Sequence, residues 1–400
     1  MATARVLHVL TNLAYAGAQL GTANVCIGVS RHEFDIHVAY SSHGAESHLD
    51  TQTLPTRLRN EGIACYDIPV MRRPVSPVYD LLAFSRLRRL IRKLRPDIVH
   101  THMSKAGILG RLAARAERVP CIVHTVHGWS FYSVSSPAAR RVFVFLERAC
   151  ARVTHRMVAV SQKLIEDGQC HGISACTYSV ARSGVDIKAF VSDRSDPATV
   201  RKEINIPVDA RVLGTVMSLS AAKAPLDFVA VAAKVSKELP DVHFLVVGSG
   251  PLRDACVRRV QEERLSEKVH FVGLRRDVPR LLRAMDVFVL TSHWEGLPRV
   301  VVEAMAAEIP VVATRVGAVP EVIVHESTGL LGAPGDVLQL TAHVVRLLSN
   351  PALAEWLAAR AKDQDLERFE TAAAVKQYVD IYRELLNSDA PSTKEELKCS

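Results

Sequence analysis

The run Val287-Phe-Val-Leu-Thr-Ser-His-Trp-Glu295-Gly-Leu-Pro-Arg-Val-Val-Val-Glu303-Ala-Met-Ala-Ala-Glu-Ile-Pro-Val-Val-Ala-Thr314 decides the fold. Val287 to Leu290 is short and wholly apolar, the pattern of a parallel strand buried on both faces. Glu295 and Gly296 make a turn. Pro298, with its fixed φ, is read as the first helical residue, Arg299 to Ala307 as helix, and Pro310 to Thr314 as the returning strand. This is a βαβ unit whose helix starts at the carboxyl edge of the sheet, where exposed amides and the helix dipole favour an anion. Glu295 and Glu303 stand eight residues apart. Carboxylates are poor phosphate ligands but good acceptors for sugar hydroxyls, so the pair predicts a nucleotide sugar with its diphosphate between two hydroxyl-binding ends. The plainer alternative is a βαβ unit carrying two ordinary surface glutamates.

The chain of 400 residues is long enough for two domains, and 48% hydrophobic content excludes a disordered chain. No apolar run approaches the ~20 residues of a membrane span, and the N-terminus reads as a first strand rather than a signal peptide. The eight cysteines show no CxxC or zinc spacing and read as reduced thiols of a cytoplasmic protein. Charge is uneven: residues 1–195 carry 25 Lys+Arg against 14 Asp+Glu, and residues 196–400 carry 25 against 28. The basic half predicts an anionic partner. No nucleic-acid motif accompanies it, so an anionic membrane surface or a phosphate-bearing acceptor fits better. The segment Leu81 to Leu94 is amphipathic, with Leu87, Leu90, Ile91 and Leu94 on one face and Arg86, Arg88, Arg89, Arg92, Lys93 and Arg95 around the rest. It is either a solvated basic helix or one that docks on anionic headgroups, at the inner face of the cell membrane.

Elsewhere, strands alternate with helices. Arg5 to Thr11 opens into the small-residue loop Asn12 to Gln19, through which backbone amides approach a ligand, or which is a tight turn with none. Further strands are expected at Phe34 to Tyr40, Pro96 to His102, Val119 to Thr125, Val158 to Ser161, Val212 to Met217, His243 to Val247 and His270 to Gly273. His100, His102, His124 and His127 invite a metal reading. The pairs sit on separate strands and no Asp, Glu or Cys joins them, so no metal site is predicted, and His100 and His124 are expected to point into the sheet. Asp363-Gln-Asp365 lies in a charged helix and reads as a solvated face.

Glu-Gly-Leu-Pro-x-Val-x-x-Glu-Ala-Met-Ala-Ala resembles the donor signature of the retaining glycosyltransferases of family 4, and the resemblance covers roughly residues 3–386. It implies an α/β GT-B fold, two Rossmann-like domains facing across a cleft. Residues 1–193 would bind the acceptor, 194–371 the nucleotide sugar, 372–386 would form a helix crossing back to the first domain, and 387–400 a disordered tail. It further implies that Glu303 binds ribose hydroxyls and Glu295 the donor sugar, that Lys223 clamps the departing diphosphate, and that His127 lies beside the sugar. Gly17, Gly296, Leu297, Arg299 and Val300 would line the donor site, with Leu274 and Arg275 at the base. Ser218 stands where the family has an arginine, Glu308 where it commonly has glycine, and Ala16 where it has the first of two glycines. The segments around His100 and His127 resemble the subset that builds bacterial surface glycans, which implies that Lys105 and Arg111 touch the acceptor. No cofactor or metal is required; a UDP-sugar is the expected donor and a hydroxyl of a glycan, glycolipid or natural-product scaffold the acceptor. The departures keep two other readings open, a GT-B sugar-nucleotide epimerase and a non-catalytic nucleotide-sugar-binding protein.

Overall fold

The computed structural model describes residues 3–14, 16–43, 53–132, 136–174 and 177–387, Thr53 by its backbone alone. Cys176, Cys399 and the tail beyond Asn387 lie outside the described residues. The chain divides into two compact units, one of residues 1–184 and 371–400, the other of Val185–Glu370.

The first unit holds a seven-stranded sheet. Its strands in chain order are β1 Ala4–Val9, β2 Phe34–Tyr40, β3 Ala64–Asp67, β4 Ile98–His102, β5 Cys121–Val126, β6 Arg156–Ala159 and β7 Tyr178–Val180. They lie in the order β3-β2-β1-β4-β5-β6-β7, all parallel. β1, β4 and β5 are buried on both faces because helices cover both, which is the burial a parallel sheet requires. One cover is the last helix, Thr371–Asn387, whose Ala374, Val375, Tyr378, Val379, Ile381 and Tyr382 join the core beside the helix Gly17–Ser30. The chain thus closes by returning to its first unit.

The second unit repeats the plan with β8 Arg211–Val216, β9 Val242–Val247, β10 Val269–Gly273, β11 Val287–Leu290, β12 Val311–Thr314 and β13 Leu330–Gly332, in the order β10-β9-β8-β11-β12-β13. All its pairings are parallel. In both sheets the strand order reverses beside the first strand of the unit, the place where open α/β sheets carry ligands at the strand carboxyl ends.

The crossing between units falls at Gly184/Val185 rather than at residue 193. Asp186 caps the short helix Ile187–Val191 by accepting from the Ala189 amide at 3.2 Å. Ile187 and Phe190 then bury in the core of the second unit with Val301 and Val302. Burial of those two side chains decides where the chain changes unit.

Candidate active site

In the second unit β11 ends at Leu290 and the loop Thr291 to Pro298 leads into the helix Arg299–Ala306. Pro298 is the N-cap (φ −80°, ψ 75°) rather than the first helical residue, and no side chain caps the helix. The loop is fastened from three sides. Thr314 donates to the Ser292 carbonyl at 2.6 Å, and the His293 amide donates to the Ala222 carbonyl at 2.9 Å. Gly317, at φ +48°, passes so close that a Cβ there would sit 1.8 Å from the Glu295 carbonyl oxygen. Only glycine satisfies both its backbone angle and that approach.

This fastening fixes Glu295, which is 4% exposed in its side chain. Lys223 Nζ donates to both its carboxylate oxygens at 2.7 Å, and the Ser292 hydroxyl to Oε1 at 2.6 Å. Lys223 closes a short 3-10 turn, Ala221–Lys223, and Ala224 behind it is held at φ +46°, a left-handed conformation that costs a non-glycine residue of order 1 kcal/mol. Thr291 stabilises it by donating to the Ala224 carbonyl at 3.0 Å. Two of the residues singled out from the sequence therefore form one ion pair. Ser218 lies exposed on the loop after β8, which is pinned against Gly248: a Cβ on that glycine (φ +133°) would lie 1.9 Å from the Met217 carbonyl oxygen.

Glu303 is partly exposed on the Arg299 helix. Desolvation raises its carboxyl above the ordinary range, opposed by the charge of Arg299 one turn earlier. A raised folded-state pKa means that ionised Glu303 costs the folded state stability at neutral pH, a cost that fades as pH falls below the folded value. Glu303→Gln is expected to raise the unfolding midpoint of the unliganded protein at pH 7.5 and to leave it unchanged near pH 4. If Glu303 accepts from a donor hydroxyl, the same variant raises the donor KM roughly tenfold or more, the worth of a hydrogen bond to a charge. Calorimetry and steady-state kinetics check both halves.

Gly296 is buried, and Leu297 and Val300 pack partly against the core. Arg275 follows β10 and chelates Asp277 at 2.8 and 2.7 Å, a pairing that lowers the Asp277 carboxyl. Leu274 beside it is half-buried.

In the first unit, Gly17 is the first residue of the helix Gly17–Ser30, and its N-cap Ala16 offers no side-chain hydrogen bond. His127 follows β5, with Nε2 3.2 Å from His102 Nδ1 and 3.5 Å from the Thr22 hydroxyl. Lys105 begins the helix Ser104–Ala116 but is spent locally: it donates to the Pro74 carbonyl and to Asp80 at 2.6 Å.

Arg111 corrects the expectation of an acceptor ligand. Its side chain is 0% exposed and its Nη2 lies 2.6 Å from Glu147 Oε2, itself 2% exposed. Nε donates to the Gly107 carbonyl at 2.9 Å. Held inside the helix layer, this guanidinium is a core ion and cannot reach a substrate. Arg111→Met is expected to cost about 3–5 kcal/mol, because it strands a buried carboxylate, whereas Arg111→Met with Glu147→Leu recovers most of the loss. Denaturant titration of the three proteins reads this directly.

Of the histidines read from the sequence, His100 and His102 meet each other and His102 meets His127. His8, which drew no notice there, joins His100 and His102, their ring nitrogens within 4.8 Å of one another and all three buried. His124 turns instead to the Thr101 hydroxyl at 2.8 Å.

Residues 196–364 match the family model of glycosyl transferases group 1, and residues 24–189 that of glycosyltransferase family 4. The chain is 30% identical over 361 residues to N-acetyl-alpha-D-glucosaminyl L-malate synthase of Bacillus anthracis, spanning 86% of this chain and 91% of that one. The chain belongs to the family 4 glycosyltransferases. It is also 29% identical over 332 residues to the UDP-Gal:alpha-D-GlcNAc-diphosphoundecaprenol alpha-1,3-galactosyltransferase of Escherichia coli, across 82% of this chain and 85% of that one. The fold matches the crystal structure of HepE from Anabaena in complex with UDP and glucose, with a TM-score of 0.82 and 21% identity, over 95% of this chain and 100% of that one. This glycosyltransferase therefore has the GT-B fold.

Proposed function

We propose that this glycosyltransferase moves a sugar from a UDP-sugar to a hydroxyl of a lipid-linked glycan with retention at the anomeric carbon. The observation that carries the donor half is the Lys223–Glu295 pair beside the uncapped Arg299 helix at the carboxyl edge of the second sheet. As the bond from the anomeric carbon to the diphosphate breaks, negative charge grows on the leaving oxygen. Lys223 and the amides of the Arg299 helix offset it. Glu295 and Glu303 accept from hydroxyls of the sugar and the ribose. The acceptor oxygen bonds to the anomeric carbon from the face the diphosphate leaves, and its proton passes to the diphosphate. His127 is kept as a sugar contact on the family resemblance. The relatives named for a UDP-sugar reaction and for UDP complexes support the choice of base.

The lipid-linked acceptor rests on the surface of the first unit. The helix Pro77–Leu94 buries Ala83, Leu87 and Ile91 and exposes Val78, Leu81 and Leu82, with Val75 just before it. Arg73 is exposed just before that apolar tip, and Arg86, Arg89 and Lys93 are exposed further along the helix. The helix Pro137–Ala151 does the same with Val142 and Phe145 beside Arg140 and Arg141. Exposed apolar side chains on helices that also carry exposed cations suit an anionic headgroup layer. Among the described residues no helix is long and apolar enough to cross a membrane.

The test is transfer from radiolabelled UDP-sugars to polyprenyl-diphosphate glycans and to soluble acceptors, with vesicle flotation alongside. Transfer to the lipid and flotation with anionic but not neutral vesicles are expected. A sugar change without acceptor would mark an epimerase, and UDP-sugar binding without turnover a non-catalytic protein; either defeats the proposal.

A further inference from the structure

Behind His127 runs a continuous file of hydrogen-bonding side chains through the sheet of the first unit to the last helix. His127 Nε2 meets His102 Nδ1 at 3.2 Å, and His102 Nε2 meets His8 Nδ1 at 3.0 Å. His8 Nε2 meets the Tyr382 hydroxyl at 3.3 Å, which lies 2.5 Å from His100 Nδ1. His100 Nε2 meets the Thr125 hydroxyl at 2.7 Å, and that hydroxyl meets the Tyr378 hydroxyl at 3.1 Å. Every member behind His127 is buried.

A neutral imidazole has one N–H donor and one acceptor nitrogen. His8, His100 and His102 each use both nitrogens, so fixing one proton fixes the next; a Thr125 or Tyr382 hydroxyl that accepted twice would leave its own proton without an acceptor, so two continuous directions are to be weighed. In one, Tyr378 donates to Thr125, Thr125 to His100, His100 to Tyr382, Tyr382 to His8, His8 to His102 and His102 to His127. In the other, every arrow reverses, Thr125 donates to Tyr378, and the Tyr378 proton has no acceptor among the described residues. Tyr378 is 4% exposed, so water does not take up that proton; His127 Nδ1 is buried in both directions, as a donor in one and an acceptor in the other, so the unmade hydrogen bond of the Tyr378 hydroxyl is the added cost of the reverse. The Thr22 hydroxyl does not reverse the choice. It already donates to the Ala18 carbonyl at 2.9 Å, so it can only accept from Nε2, at the longer 3.5 Å. Burial also keeps the imidazoles uncharged, driving His8 down to about 3 and His100 and His102 well below the ordinary value.

We infer that Tyr378, Thr125, His100, Tyr382, His8 and His102 form a one-way hydrogen-bonded file that fixes His127 as the neutral tautomer with its proton on Nδ1. The six are positioning residues. Nδ1 of His127, turned away from the file and buried in this structure, then carries the proton and cannot accept one. This catalytic consequence rests on the reading of His127 as a sugar contact; the tautomer itself does not.

The experiment is a long-range 1H–15N correlation on the full chain labelled with 15N-histidine at neutral pH, paired with transfer kinetics. The wild type is expected to show His127 protonated at Nδ1 and bare at Nε2. Tyr382→Phe removes the donor to His8, so the Nε2-protonated form of His127 becomes populated and kcat falls about tenfold with donor KM little changed. In Tyr378→Phe, Thr125 becomes the terminal donor and its proton still has only His100 to go to, so the His127 tautomer stays as in the wild type. A proton on Nε2 in the wild type, an unaltered His127 in Tyr382→Phe, or a stoichiometric metal on these imidazoles would overturn the inference. The wild-type spectrum decides the direction even if Tyr382→Phe does not fold. A tautomer that shifts while kcat holds would sustain the file and overturn the role of His127 at the sugar.

Discussion

Lys223→Ala is expected to lower kcat/KM for sugar transfer by about 10²–10³-fold, the usual cost of losing one group that meets charge developing in the transition state. Lys223 is 29% exposed in its side chain, and both of its short contacts go to Glu295. In the resting enzyme those charges cancel. When a diphosphate leaves, the ammonium has a second anion to serve, and its value rises as the reaction proceeds, which places the loss in kcat. The variant also strands the buried Glu295 carboxylate, leaving the Ser292 hydroxyl donating to it, so a structural loss adds to the catalytic one. The unfolding midpoint of Lys223→Ala, measured beside its kinetics, separates the two causes: an unchanged midpoint with turnover lost assigns the loss to the transition state. Kinetics within threefold of wild type for Lys223→Ala would remove Lys223 from the mechanism.

The β11–helix–β12 unit was readable to within a residue because its signals are local. The apolar runs are short, proline and glycine punctuate them, and helix and strands follow at once. Glu308 was readable in the same way: at the end of that helix it takes φ +61°, the conformation for which glycine is preferred. Arg111 was misread for the opposite reason. A basic residue in the second turn of a helix looks solvent-facing until Glu147, 36 positions on, is brought against it by tertiary packing. Lys105 is claimed likewise by Asp80, 25 positions before it. His8 left no trace because a histidine inside an apolar strand looks like any buried residue, and its partners lie 94 and 374 positions away. The period-two pattern places His100 and His102 on one face of β4 and His8 inside the apolar run of β1. It does not show that β1 and β4 are adjacent, and that adjacency makes the cluster.

The same buried histidines set the response to acid. His8, His100, His102 and His124 are all held neutral by burial, their pKa values lowered. In the unfolded chain each titrates near 6.5. A lowered folded value means that the unfolded state binds the extra protons, so stability is intact above about pH 7 and falls as pH drops through 6.5. Four such groups remove about 5 kcal/mol between pH 6 and pH 5, by the linkage slope of ~1.4 kcal/mol per proton per pH unit. That is comparable with the entire stability of an ordinary domain, roughly 5–15 kcal/mol. His155 of the first unit and His243, His270 and His343 of the second shift the same way through partial burial and add to the slope. Glu303 opposes it as one group, and the carboxylates lowered by arginine partners release their contribution only at more acid pH. Denaturant titrations at pH 7.5, 6 and 5 should therefore show a collapse centred on the first unit, and His124→Gln should take about a quarter off the four-histidine slope. A loss of under 1 kcal/mol across that interval would mean that protons reach these imidazoles in the folded state, and that the layer between the sheet and the last helix is wetter than its packing indicates.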